Sequence, residues 1–345
     1  MSSMNDLSEW SGDFDDDAVL TVKQRQRRQD RRVPSRQHRP KKTENELRAD
    51  LGLAPTTVET TATGFNPTYQ GKKHERIWIL SGLGEFYDHN LITDVLRPVK
   101  AGKEATVYCC AAGPSQGVPW LAGKVYRPRM FRQLRNDKVY REGRIILDAD
   151  GKLVKDEGAA HAIATGTAFG KDLLHTSWLS HEYQTLETLH AAGALAPRPV
   201  ARGPNAILME YLGDAESPVP TLNQVSLDRN EARALFDALM QSVAIMLANN
   251  LVHGDLSAFN VLYWEGEVRI IDFPQAVNVK NNPHARRIFE RDIERLCGYF
   301  ARQGVDTDAR RLASDLWRAH VSQPTPAERV VEDRRLHLGP ADGIA

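Results

Sequence analysis

Between Leu251 and Val277 the chain reads LVHGDLSAFNVLYWEGEVRIIDFPQAV, two apolar runs that each stop at a cluster of polar residues. Val261-Leu262-Tyr263 and Val268-Arg269-Ile270-Ile271 read as the strands of a hairpin around the turn from Trp264 to Glu267. A hairpin returns its end to its start, so Asp272 is expected beside the loop that carries His253, Asp255 and Asn260. Two carboxylates and an amide oxygen then converge with no basic partner adjacent in sequence. In a partly buried site such a group is costly unless a cation compensates it. A few hard oxygen ligands suit Mg²⁺, which keeps part of its water shell and shares phosphate oxygens, with Mn²⁺ as a substitute.

The spacing His-x-Asp-x-x-x-x-Asn, followed by Ile-Asp at the end of the next hairpin, is the pattern of a phosphoryl-transfer site that binds ATP. Such a site also needs a cation on a strand to grip the phosphates and a carboxylate on a helix to hold that cation. Lys124, in LAGKVY, has the strand context. Glu182, early in the helix expected from Ser180 (SHEYQTLETLHAAG), is the carboxylate. Glu187 competes, but five residues further on it faces another way. A phosphate-covering loop is expected in KAGKEATVY, at Gly102, Lys103 and Glu104, without a G-x-G-x-x-G. LMEYLGD reads as the link between two lobes, where Glu210 and Leu212 offer backbone groups to the adenine edge and Met209 borders the pocket.

The rest of the 345 residues sorts around this centre. Residues 1–72 are polar and poor in aromatics, and are expected to be a disordered tail. From Lys23 to Arg48 roughly a dozen basic residues face only Asp30, Glu44 and Glu46, a basic stretch that would suit RNA or a ribosomal precursor. An N-lobe is expected over 73–211, with a long polar insert at 127–176. A helical C-lobe is expected over 212–322, followed by a C-terminal tail, 323–345. In the C-lobe, Leu235, Leu239, Val243 and Met246 share one helix face, and Ile288, Leu296 and Phe300 another. The insert's DADGKLVKDEG fails as a calcium loop, because Ala159 stands where the last acidic ligand belongs, so a turn is expected. Strands with one helix, a link, then helices make an α+β protein with two segregated lobes. Three cysteines, two of them adjacent, form no disulfide framework. No run approaches 18 apolar residues and no signal-peptide pattern opens the chain, so a cytoplasmic protein without a membrane partner is expected.

AGKEATVY, GKVY, LMEYLG, HGDLSAFNVLY and IIDFPQAV, in that order, resemble the RIO family of atypical serine/threonine protein kinases, over about residues 95–305. The helix FERDIERLCGYFARQGV is similar to that family's C-terminal helix. The resemblance implies a trimmed two-lobed kinase-like fold that binds ATP and Mg²⁺ and acts on a protein acceptor or on itself, as a Ser/Thr kinase or an ATPase. It implies that Lys124 holds the phosphates and Glu182 pairs with it, that Asp255 is the catalytic aspartate, and that Asn260 and Asp272 hold the metal. Asp272 would also be a transient phosphate acceptor. Gly254 stands where protein kinases usually carry arginine, and Pro274 where they carry glycine, which stiffens that loop. A helix resumes by Pro283, leaving no room for an activation segment. Two alternatives remain: a small-molecule phosphotransferase resembling aminoglycoside kinases, and an ATP-gated assembly switch with little kinase turnover.

Overall fold

The computed structural model describes residues 64–102, 104–127, 139–140, 142–214 and 216–321. The basic stretch 23–48, the tail 323–345, residues 1–63 and Lys103 lie outside the described residues. Chain order begins with α1 (Lys73–Asp88), followed by β1 (Ile92–Ala101), β2 (Ala105–Ala112) and β3 (Trp120–Tyr126). Then come α2 (Glu157–Ala164), α3 (Ala168–Ala191), β4 (Pro199–Arg202) and β5 (Ala206–Glu210). The strands form one antiparallel sheet, β1-β2-β3-β5-β4. In α1, Ile79, Leu83 and Phe86 stand at helical spacing, and all three are buried against Val95, Tyr108, Leu121, Val125 and Leu208 of the sheet.

Order starts before the expected boundary at residue 73. Phe65 is buried and stacks on Tyr87 with ring centroids 4.6 Å apart, and the Tyr69 amide donates to the Val95 carbonyl at 2.9 Å. Residues 64–72 are thus packed chain, not tail. Tyr69 packs on the same core and Thr68 bonds the Asp94 carboxylate, so the stretch is anchored at several points.

The helix expected from Ser180 begins twelve residues earlier, at Ala168, so the second half of the insert is helical. Its first turns are mostly solvated, with Phe169 63% exposed, and therefore carry no apolar period to read. Thr167 caps them by accepting the Gly170 amide at 3.1 Å. Gly170 looks like a helix breaker but serves close approach: a Cβ there would stand 2.1 Å from the Ala162 carbonyl of α2. The DADGKLVKDEG stretch is a turn, as expected. The Asp148 carboxylate accepts the amides of Asp150 and Lys152 at 2.9 and 2.8 Å, and Leu147 bridges Leu153.

The C-lobe follows as α4 (Arg229–Ala248), β6 (Leu251–Val252), β7 (Val261–Trp264), β8 (Glu267–Ile270), β9 (Val277–Asn278), α5 (Ala285–Arg302) and α6 (Ala309–His320). Leu235, Leu239, Val243 and Met246 of α4 and Ile288, Leu296 and Phe300 of α5 are buried in one core. Trp178, Leu179, Leu186 and Leu189 of α3 and Tyr126 of β3 join that core, so α3 belongs to both lobes. No helix among the described residues is long and apolar enough to cross a membrane. Cys109, Cys110 and Cys297 are buried and free.

Gly170→Ala separates propensity from packing. Alanine in an exposed helix interior gains about 0.8–1 kcal/mol over glycine, whereas an overpacked contact costs about 1–3 kcal/mol. Urea melts are expected to show net destabilisation; a stabilised variant would refute the close approach of α2 and α3.

Candidate active site

Two loops emerge side by side because the strands at their roots are paired. β6 pairs β9, Val252 opposite Val277, and β7 pairs β8, Val261 opposite Ile270. Loop 253–260 therefore runs from β6 to β7, and loop 271–276 from β8 to β9. They are stitched by the Ile271 amide donating to the Asn260 carbonyl at 2.9 Å and by His253 Nε2 donating to the Ile271 carbonyl at 3.1 Å. His253 is buried, its ring 4.8 Å from that of Phe273. Asp272 sits at φ +73°, a left-handed conformation that costs a non-glycine residue on the order of 1–3 kcal/mol. Asp tolerates it better than most residues.

Lys124 is the hub. Its Nζ lies 2.6 Å from Glu182 Oε1 and 2.7 Å from Asp272 Oδ1, joining β3, α3 and loop 271–276. Tyr126, two residues along β3 and so on the same face, donates its hydroxyl to Glu182 Oε2. Glu187 is exposed and makes no contact with Lys124. Burial acts to lower the Lys124 pKa, but Asp272 and Glu182 outweigh it and hold the ammonium charged beyond the ordinary lysine range. Burial likewise acts to raise the Asp272 carboxyl, and the Lys124 ammonium, with smaller help from His253 and Lys100, brings it below the ordinary carboxylate range. The stabilisation from Asp272 is accordingly held at neutral pH and lost only as pH falls through that depressed value.

The Asn260 Nδ2 donates to the Asp255 carbonyl at 2.8 Å and lies 3.3 Å from Asp255 Oδ2. Asn260 Oδ1 and Asp272 Oδ2 remain without partners among the described residues, two hard oxygen donors on neighbouring loops. That donor set fits Mg²⁺, which needs few protein ligands. No group of three His, Cys, Asp or Glu side chains that could hold a metal ion is gathered among the described residues, so the two carboxylate and amide oxygens would share the ion with other oxygens.

At the link, Glu210 donates its amide to the Arg198 carbonyl at 2.8 Å and accepts the Arg198 amide on Oε2 at 3.0 Å. Met209 is half-buried against the larger core, and Leu212 lies two residues beyond the end of β5. In the β1–β2 turn the Gly102 amide donates to the Ala105 carbonyl at 2.8 Å, and Glu104 accepts the Arg127 amide at 2.8 Å.

Three features escape a linear reading. Gly254 has φ +88°, and a Cβ there would stand 2.2 Å from the Gln275 carbonyl, so the position excludes arginine by contact between loops. Asp292 of α5 accepts the Gly254 amide at 2.8 Å, and Arg291 binds the Gly254 carbonyl. Burial raises the Asp292 carboxyl above its ordinary range, against the pull of His253 and Arg291. A signal was present: Asp292 stands between Ile288 and Leu296 at four-residue steps, a carboxylate on an apolar stripe. Arg144 of the insert donates to the carbonyls of Pro274 and Ala276 at 3.0 and 2.9 Å, clamping the loop that carries Asp272.

Residues 137–312 match the sequence profile of the RIO domain. The chain belongs to the RIO family. It is similar to the RIO-type serine/threonine-protein kinase Rio1 of Haloferax volcanii, 29% identical over 62% of this chain and 66% of the relative. It is also similar to that of Thermoplasma acidophilum, 33% identical over 39% of this chain and 69% of the relative. The chain thus spans about two thirds of the length of these RIO relatives. The Rio2 kinase of Chaetomium thermophilum, solved as an ADP/Mg²⁺-phosphoaspartate complex, overlaps at a TM-score of 0.46 and 17% identity, over 76% of this chain and 77% of that one. Among the site features of this RIO member, the Arg144 clamp comes from the polar insert 127–176.

Lys124→Met is expected to move the Asp272 carboxyl titration upward, because burial then acts with less opposition. Carbon-13 NMR titration of wild type and variant, with Asp272→Asn to assign the resonance, reads this directly; an unmoved midpoint would remove the pair as its cause.

Proposed function

We propose that this RIO-family chain transfers the γ-phosphoryl group of ATP to a Ser or Thr hydroxyl of a protein, with its own Asp272 as a second acceptor. The observation that carries the reading is Lys124 bound at once to Glu182 and Asp272. That contact joins the sheet lobe to the loop bearing Asp272 through one buried ammonium group.

In this reading the Glu210 carbonyl and Leu212 amide meet the adenine edge, Met209 borders it, and the Gly102–Glu104 turn lies over the phosphates. Lys124 neutralises charge on the α- and β-phosphates. Asn260 Oδ1 and the Asp272 carboxylate would hold Mg²⁺, which would supply positive charge to offset that of the phosphates. Asp255 orients the acceptor hydroxyl and takes its proton as the oxygen–phosphorus bond forms and ADP departs. With Asp272 as acceptor, its free oxygen attacks instead, and water later releases phosphate. Family membership favours this reading over a small-molecule phosphotransferase. The ATP-gated switch differs only in acceptor and rate, and RNA binding by residues 23–48 stays a proposal that rests on their charge alone.

The test is incubation with γ-labelled ATP and Mg²⁺, comparing wild type with Asp255→Ala and Asp272→Asn. Loss of a well-placed base costs about 10²–10⁴ in rate, so Asp255→Ala is expected to lose transfer to Ser or Thr by that factor while keeping its melting temperature. Acid-stable label on Ser or Thr supports the kinase reading. Hydroxylamine-labile label that Asp272→Asn abolishes, with free phosphate, supports the aspartyl route. Unimpaired transfer by Asp255→Ala would refute the assignment.

A further inference from the structure

Asp255 already holds a cation. Its Oδ1 lies 2.8 Å from Nη1 of Arg295 on α5, and Asn260 flanks Oδ2. The pair is open to solvent: the Arg295 and Asp255 side chains are 43% and 52% exposed. This openness follows from the short connection, because only residues 273–284 separate Asp272 from α5, and no activation segment covers that face of the helix. Arg291, one turn earlier, points toward the same loop but is spent on Gly254 and Tyr140. Glu294 stands on the flank of α5 away from Arg295, and Glu290 is held by Arg286. Arg295 is therefore the one of these α5 arginines whose partner is the group that must engage the acceptor.

We propose that Arg295 is a specificity-determining residue that selects acceptors with a carboxylate beside the target Ser or Thr, by exchanging Asp255 for that carboxylate. The inference rests on the kinase reading above and names the acceptor class. A neutral acceptor must compete with the guanidinium for Asp255 Oδ1 and supplies nothing in return. An acidic acceptor takes the guanidinium, so that one ion pair replaces another and Asp255 is released to accept the hydroxyl proton. A basic acceptor adds like-charge repulsion at the same place. Hydrogen bonds between charged partners are roughly twice as strong as neutral ones, and their loss at a half-open site corresponds to about a tenfold change in rate.

The experiment measures kcat and KM for full-length protein with ATP and Mg²⁺ on three Ser peptides that differ only in flanking Asp, Ala or Lys. Wild type is expected to prefer the Asp peptide over the Ala peptide about tenfold in kcat/KM. Arg295→Ala is expected to erase that preference in two ways: KM rises for the Asp peptide, and kcat rises for the Ala peptide as Asp255 is released. A structural role would lower both reactions together. Arg295→Lys should keep part of the preference, and Arg295→Glu should shift it toward the Lys peptide. Arg287→Ala, an exposed arginine of α5 without contact to Asp255, controls for net charge and is expected to keep the preference.

Equal use of the three peptides by wild type overturns the inference alone, and so does a preference that survives Arg295→Ala or falls equally in Arg287→Ala. ATP turnover with no transfer to any peptide sets aside the Ser/Thr kinase reading and this inference with it.

Discussion

One ammonium group between two carboxylates organises the centre of this molecule. Lys124 reaches Glu182 from the sheet and Asp272 from the loop, so three elements distant in sequence meet at one charge. Lys124 and Glu182 would each be expensive to bury alone; paired, with the more exposed Asp272 beside them, they compensate one another, which is the condition for a buried charge to persist. Tyr126 occupies the second oxygen of Glu182, so the helix carboxylate has both oxygens committed. Glu182 stands at helical spacing among the buried Trp178, Leu179, Leu186 and Leu189, so one face of α3 both carries the hub and anchors in the larger core.

The gathering of the candidate site was legible where chemistry fixes both residue type and spacing. His253, Asp255, Asn260 and Asp272 are read from a hairpin that must return on itself, and Lys124 and Glu182 from the charge that phosphates require. What was hidden depends on contacts between segments far apart. Nothing near Gly254 in sequence announces Gln275, and nothing in the insert announces that Arg144 ends on the Pro274 and Ala276 carbonyls. The start of α3 was hidden for a different reason: a solvated helix turn has no apolar period. Phe65 and Tyr69 show the converse, aromatics in a polar stretch whose packing only the fold reveals.

The insert changes meaning once its contacts are known. His181 beside Glu182 donates to the Ile145 carbonyl, and burial pushes its pKa down to about 4. It therefore stays neutral at physiological pH and does not add a second cation beside the Lys124 pair. Asn282 and His284, at the root of α5, hold Val139 and Glu142. The insert thus ties α3, the loop of Asp272 and α5 into one block.

The collision built into Gly254 bears on how such a site can be altered over generations. Every single-codon replacement of glycine brings a Cβ, and at this position any Cβ meets a backbone carbonyl that no side-chain rotation can move aside. The route to an arginine-gated loop is thus closed at its first step unless the facing loop is rebuilt at the same time. A lineage carrying this contact is left to vary who reaches Asp255, not whether the loop around it is assembled.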